Sequence, residues 1–184
     1  MTDTHRRIAV IGAGLAGLSC AQHVQWAGCA VTMFDKAGAT GVVCIGGLHL
    51  LGGHTISEMY HEPGHGGWRL HSVEHGAHKE GFDALLLALP AAQAATLLEP
   101  LLPWTAIQCS TAALGADGAR VQPAVWLPAV RVGVCGDWLA GGRLEGAWLS
   151  GRALAAQVLA QGATVTSSFT TSRSSPSRHR HRPV

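Results

Sequence analysis

The chain has 184 residues, with 13 basic and 11 acidic side chains, 47% hydrophobic residues and 24 glycines. That length predicts one domain of ordinary size, and a glycine share well above the usual value of about 7% favours turns and phosphate-binding loops over a helical bundle. Arg173, Arg178, Arg180 and Arg182 crowd the last dozen positions with no acid beside them, so the remainder has no basic excess and nucleic acid is not an expected partner. No apolar run reaches the roughly 18 residues a membrane span needs.

In chain order, residues 8–11 read as a short apolar strand that turns at Gly12-Ala13-Gly14-Leu15-Ala16-Gly17 into a helix over 15–27. That helix has Leu18 and Val24 on its inner face and stops at Gly28, a favoured C-terminal cap. Residues 31–34 form a second strand ending at Asp35, with Lys36 after it. Each glycine has a physical task. Gly12 permits a tight turn, Gly14 lets the backbone approach a pyrophosphate, and Gly17 lets helix and strand pack closely. The helix N-terminus offers N–H groups and partial positive charge to phosphates. Asp35 follows Gly17 by eighteen residues, near the spacing of about 20 expected for a carboxylate on a ribose hydroxyl. Strand, glycines, helix and acid together predict a dinucleotide-binding βαβ unit.

Residues 38–67, rich in glycine and histidine, show little sustained periodicity and are expected to be an irregular, shortened insert. Residues 68–74 alternate as a half-buried strand does, 75–77 turn it, and 78–81 return as a short partner. The apolar run 83–89, ended by Pro90, suits a strand buried on both faces of a parallel sheet. Residues 91–102 have helix-forming composition, and 103–128 read as a second irregular, shortened insert. A strand over 130–135 leads into Gly136-Asp137, and a last helix covers 144–161, with Trp148, Leu149, Ala153, Ala156 and Val158 inward and Gly162 as its stop. Residues 1–162 are thus expected to form an FAD/NAD(P)-binding domain, and 163–184 a disordered Ser/Thr/Arg tail.

Five scattered cysteines, Cys20, Cys29, Cys44, Cys109 and Cys135, lack C-x-x-C spacing, which points to reduced, buried thiols in a cytoplasmic protein. Arg6-Arg7 before an apolar run imitates a secretory signal, but the run continues to Asp35 with nucleotide-binding spacing and reads as fold. His61-Glu62-Pro63-Gly64-His65 matches the letters of a zinc-protease motif. That chemistry needs both histidines on one continuous helix, which Pro63 and Gly64 disfavour, so no metal is expected. His49, His54, His61, His65, His71, His75 and His78 read as solvated loop histidines. Ser110 and Ser150 lack a nucleophile elbow.

The second informative stretch is Cys135-Gly136-Asp137-Trp138, then Gly141-Gly142-Arg143-Leu144-Glu145-Gly146-Ala147 and a helix. A strand ending in Gly-Asp can set a carboxylate on polyol hydroxyls, and the following helix can aim its N-terminus at an electron-rich ring edge. With Gly12 to Gly17, Asp35-Lys36 and the run 80–90, this order resembles the renalase-like branch of the FAD-dependent amine-oxidase superfamily. The resemblance implies a Rossmann-type α/β fold, a parallel sheet with a small β-hairpin or meander, and FAD as cofactor. It places Gly12, Gly14 and Gly17 at the pyrophosphate, Asp35 at the adenosine ribose, Asp137 near the ribityl-pyrophosphate region, and Glu145, Gly146 and Ala147 beside the flavin ring. It also implies hydride transfer to flavin from a dihydronicotinamide-type or amine-type substrate, with oxygen as acceptor. Family members carry Thr-Gly-Gly-Arg where this chain reads Ala39-Thr40-Gly41-Val42-Val43, and a larger substrate domain where it has 103–128. A non-catalytic dinucleotide-binding remnant and an NAD-dependent oxidoreductase are the alternative readings. Substrate, oligomeric state and catalytic residues are not legible.

Overall fold

The computed structural model describes residues 6–38, 41–45, 48–62, 67–101 and 122–164. Its strands are β1 (Arg7–Ile11), β2 (Ala30–Asp35), β3 (Gly41–Ile45), β4 (Leu48–Gly52), β5 (Ile56–Glu62), β6 (Gly67–Ser72), β7 (Gly76–Ala77), β8 (Ala84–Leu87), β9 (Ala124–Leu127) and β10 (Val132–Cys135). Its α-helices are α1 (Leu15–Trp26), α2 (Ala91–Leu98) and α3 (Leu144–Thr164).

Successive side chains of a strand point to opposite faces, and here both faces are buried. In β1, Ile8 and Val10 join one core while Ala9 and Ile11 join another. In β8, Ala84 and Leu86 point to the first and Leu85 and Leu87 to the second. This is why both segments read as unbroken apolar runs rather than alternating ones. They pair in parallel with Ile8 beside Ala84, and β2 flanks β1 on its other side with Ile8 beside Val31. The whole sheet has the order β3-β4-β2-β1-β8-β10-β9. β4, β2, β1, β8 and β10 run parallel, and β3 and β9 are antiparallel edges. The result is a mixed α/β fold with a mostly parallel central sheet of Rossmann type.

α1 and α3 cover the first face, contributing Ala16, Cys20, Ala21, Val24, Ala147, Leu154, Ala155 and Val158. Small residues set their separation. A Cβ on Gly151 would lie 2.0 Å from the Ala16 carbonyl oxygen, and one on Gly133 of β10 would lie 2.5 Å from Leu154 Cδ1. The second face is covered by the antiparallel sheet β5-β6-β7 and by α2, which enclose Phe34, Ile56, Met59, Trp68, Leu70, Phe82, Leu97 and Leu98. Trp68 bridges Phe82, and its indole N–H donates to the Val130 carbonyl at 2.8 Å, tying the small sheet to the large one. Cys20, Cys29 and Cys135 are free and buried.

Several expectations change. The described residues of 38–67 are not irregular: β3 pairs antiparallel with β4, β4 extends the parallel sheet beside β2, and β5 opens the small sheet. The short apolar runs there are stabilised by partners distant in sequence, which local periodicity does not reveal. The strand β9 falls within 103–128, while residues 102–121 and 165–184, including most of the expected tail, lie outside the described residues. The returning strand after the turn that follows β6 is Gly76–Ala77 rather than 78–81, and β6 also pairs with β5. Leu18 and Leu149, expected inside, are 42% and 47% exposed, and Ala156 also faces solvent. The buried stripe of α3 instead combines small residues that permit close helix contact, such as Ala147, Ser150 and Ala155, with Leu154 and Val158. Helix α3 also passes through Gly162 to Thr164, because one helical glycine costs only about 1 kcal/mol. Among the described residues no helix is long and apolar enough to cross a membrane.

Gly151→Ala is expected to lower stability by about 1–3 kcal/mol, as an added methyl in a filled contact does. Arg152→Ala, on the exposed side of the same helix, should stay within about 0.5 kcal/mol of the parent in urea denaturation.

Candidate functional site

The turn from β1 into α1 separates its three glycines by cause. Gly12 has φ 105°, and a Cβ there would stand 2.3 Å from the Ala88 carbonyl oxygen. A Cβ on Gly17 would stand 1.9 Å from the Gly12 carbonyl oxygen. Packing within the chain therefore requires both to be glycine. Gly14 is different. It has φ −65° and ψ 176°, which any residue adopts, and a Cβ there would meet no atom within 4 Å. Nothing in the protein demands a glycine at this position, and the space above it opens over the start of α1. That helix has no side-chain cap and no acid in its first turn, so its N-terminal N–H groups and dipole suit an anion.

Asp35 closes the turn from the side. One carboxylate oxygen accepts the Ala13 N–H at 2.6 Å and the other accepts the Ala37 N–H at 2.7 Å. The Gly12 N–H donates to the Phe34 carbonyl at 2.7 Å. The acid thus fixes the glycine turn against the end of β2, and each oxygen retains a further lone pair for a ligand hydroxyl.

A cavity of about 570 Å³ lies at the carboxyl ends of β1, β2 and β8, where ligands bind in open α/β sheets. Gly12, Gly14, Asp35 and Lys36 line it, with Ile11 and Phe34. The wall is completed by His54, Thr55, Ile56 and Ser57 at the β4–β5 link, by Ala88, Leu89 and Pro90 after β8, and by Gln93, Thr96 and Leu97 of α2. Its volume falls in the range of about 300–1,000 Å³ usual for small-molecule sites. Sequence reading missed the first and the last of these groups. Gln93 and Thr96 left a signal, since they are the two polar residues of α2 and stand one turn apart. His54 to Ser57 left none, because their place in the wall depends on β4 joining the parallel sheet.

The other expected site residues are not in this lining. Leu15 is partly exposed on α1, while Ala16 and Gly17 are buried in its contacts. Gly136 lies at the carboxyl end of β10; its N–H donates to Ser150 Oγ at 2.9 Å, and that hydroxyl donates to the Pro123 carbonyl. Ser150, fully buried, therefore supports the Gly136 turn. Asp137 is exposed and accepts the Trp138 N–H at 2.9 Å, and the Trp138 indole donates to the Leu89 carbonyl at 3.1 Å. The second motif is thus fastened to a residue of the cavity wall. Gly146 serves packing, since a Cβ there would lie 2.4 Å from the Ala140 carbonyl oxygen, and Ala147 belongs to the helix-side core. Glu145 is exposed in the first turn of α3.

His61 and Glu62 of the zinc-protease lettering lie in β5, where Glu62 pairs with Arg69 at 3.1 Å. A strand cannot put two histidines on one helix face; His65 and Ser110 lie outside the described residues. Among the described residues no group of three or more His, Cys, Asp or Glu side chains is placed to hold a metal ion.

Gly12→Ala should cost about 1–3 kcal/mol, because the backbone it meets cannot step aside. Gly14→Ala should stay within about 0.5 kcal/mol of the parent in the same denaturation series. Ser150→Ala, which leaves the Gly136 N–H without its acceptor, is expected to cost about 1–3 kcal/mol.

No protein-family model matches the chain, and no curated protein sequence matches it. Among solved structures, THI4 from Thermovibrio ammonificans superposes with a TM-score of 0.57 at 10% identity, over 86% of this chain and 90% of that one. The atypical thioredoxin reductase TRi from Desulfovibrio vulgaris Hildenborough is 24% identical with a TM-score of 0.37, over 47% of this chain. An NAD-dependent persulfide reductase from A. fulgidus is 13% identical with a TM-score of 0.36, over 85% of this chain and 31% of that one. The chain spans 36% of the length of the thioredoxin reductase. The likeness to THI4 shows the fold.

Proposed function

We propose that this chain binds an adenine dinucleotide as the cofactor-binding unit of an FAD/NAD(P)-dependent oxidoreductase, and that the dinucleotide is FAD. One observation carries the reading: Gly14 is a glycine without a packing or backbone reason, set over an uncapped helix N-terminus beside the Asp35 carboxylate. A ligand that must come closer than a side chain permits supplies that reason. Gly12, Gly14, Leu15, Ala16 and Gly17 form the turn that takes the pyrophosphate, Asp35 takes the ribose hydroxyls, and Lys36 lies at the rim. Gly136, Asp137, Glu145, Gly146 and Ala147 are assigned to the flavin half, with residues 1–162 as the binding unit.

When bound, a flavin supplies hydride acceptance, and the chain's own residues hold and orient it. The Asp35 clamp keeps the turn preformed, Phe34 and Leu97 give the cavity apolar walls, and Trp138 ties the second motif to Leu89. The renalase-like assignment, with a dihydronicotinamide-type or amine-type donor and oxygen as acceptor, is supported by the order of the matching blocks. The run 80–90 contains β8, Gly136-Asp137 follows β10, and the Arg143 block opens α3.

Calorimetric titration of the purified chain with FAD and, separately, NADH tests this. FAD binding is expected. Gly14→Val should abolish it while leaving the fold intact, and Asp35→Asn should weaken it by about 1.5–3 kcal/mol, the worth of a charge-assisted hydrogen bond. Binding of NADH alone would reassign the cofactor, and binding of neither would overturn the proposal.

A further inference from the structure

Three histidines left unused by this reading meet at the cavity wall. His54, which lines the cavity, has its Nδ1 3.0 Å from the Gly52 carbonyl. Its ring stacks on His75 of the β6–β7 turn, with centroids 4.1 Å apart and planes 28° apart. His78 stands 5.3 Å from His54 and edge-on to Phe34 at 4.6 Å. Phe34 is a shared partition: it lines the dinucleotide cavity on one side and, on the other, a second cavity of about 370 Å³ lined also by His75 and His78.

The β6–β7 turn and the β4–β5 link are joined by more than the ring stack. The Val73 N–H donates to the Thr55 carbonyl at 2.9 Å, and the Thr55 N–H donates to the Glu74 carboxylate at 2.7 Å. Thr55 also lines the dinucleotide cavity. A displacement of the turn is therefore carried directly into the wall.

The charges around His78 come from several elements. His54 faces it from the β4–β5 link and His75 from the turn, while Glu80 and Lys79 follow it in sequence and His49 of β4 lines the same second cavity. The Glu74 carboxylate accepts the Thr55 N–H and also faces His75. The Nε2 atom of His78 is buried with no hydrogen-bond partner, so a proton added there finds no acceptor. Burial first, then His54, pushes the His78 pKa below its ordinary 6.5; Glu80 opposes this and His75 adds to it. A depressed folded-state pKa means that the unfolded chain binds the proton more readily. The stability linked to His78 is therefore fully present above pH 6.5 and is lost as pH falls through the folded-state value.

We propose that His54, His75 and His78 form a proton-sensitive clasp on the dinucleotide cavity: with His78 neutral the three rings hold the wall, and when His78 takes a proton they separate, displace the β4–β5 link and release the bound dinucleotide. The clasp rests on the dinucleotide reading above. A proton on His78 is set against the neighbouring His54 and His75 rings, countered by Glu80 near His78 and by Glu74, which faces His75.

The test compares the parent protein with His78→Phe, which keeps an aromatic ring against Phe34 but cannot take a proton, and with His75→Gln. FAD affinity of the parent should fall about tenfold between about pH 7.5 and pH 5.5, and that of either variant less than about twofold. In the parent without ligand, the His78 imidazole resonances should titrate below pH 6.5, with the Thr55 amide shifting in step. Parent affinity independent of pH, the parent's pH dependence retained in both variants, or His78 titrating at or above that value would each overturn the clasp. Absence of dinucleotide binding even at about pH 7.5 would overturn the functional reading and the clasp with it. Binding that ignores pH overturns the clasp alone.

Discussion

Close approach of backbone without an intervening Cβ holds this molecule's site together. Ala88, just past β8, touches Gly12; the Gly12 carbonyl touches Gly17 in α1; and Ala16, beside Gly17, touches Gly151 in α3. One continuous line of contacts runs from the central sheet through the glycine turn to both helices of the outer layer. Each link is shorter than a side chain would permit, so the turn's position follows from the sheet and helices rather than from its own flexibility. Interiors packed to crystal density pass such constraints along with little give.

This line explains why one βαβ unit was so legible. Gly12, Gly17 and Asp35 each answer to a short-range requirement that appears directly as a residue type at a fixed spacing. The two-sided burial of β1 and β8 was equally readable, because a strand with a core on both faces has no polar positions to confuse it. The helices were placed well along the chain and less well about their own axes. In α1 and α3 the buried stripe is mostly alanine, glycine, cysteine and serine, with Val24, Leu154 and Val158 among them, while Leu18 and Leu149 sit outside. A reading that equates large apolar residues with the interior turns such a helix the wrong way.

The candidate site divides along the same boundary. Its floor, from Gly12 to Gly14 with Asp35 and Lys36, was visible in the sequence. Its wall was not, since His54, Thr55 and Ser57 reach it only because β4 pairs with β2, and Gln93 and Thr96 only because α2 covers that face. Asp35 shows the further limit of pattern reading. Spacing pointed to a ribose-binding carboxylate, and the structure shows that carboxylate pinning the Ala13 and Ala37 amides. Ser150 makes the same point from the other side: with no catalytic neighbourhood, its hydroxyl is committed to the Gly136 turn.

The central position of β1 bears on how the chain assembles. It precedes every other described strand in the chain and is the middle one of the sheet. Its neighbour β2 follows one helix later, but its other neighbour, β8, lies some 76 residues downstream, the separation spanned by the Arg7–Asp83 hydrogen bond. During synthesis the N-terminal βαβ unit therefore emerges with one full apolar edge open and nothing yet made to cover it. Contacts of such long range are slow to form, and the unpaired edge is exposed to other chains meanwhile. The order of the strands in the sheet makes β1, ahead of the other described strands, the one whose second partner lies farthest along the chain.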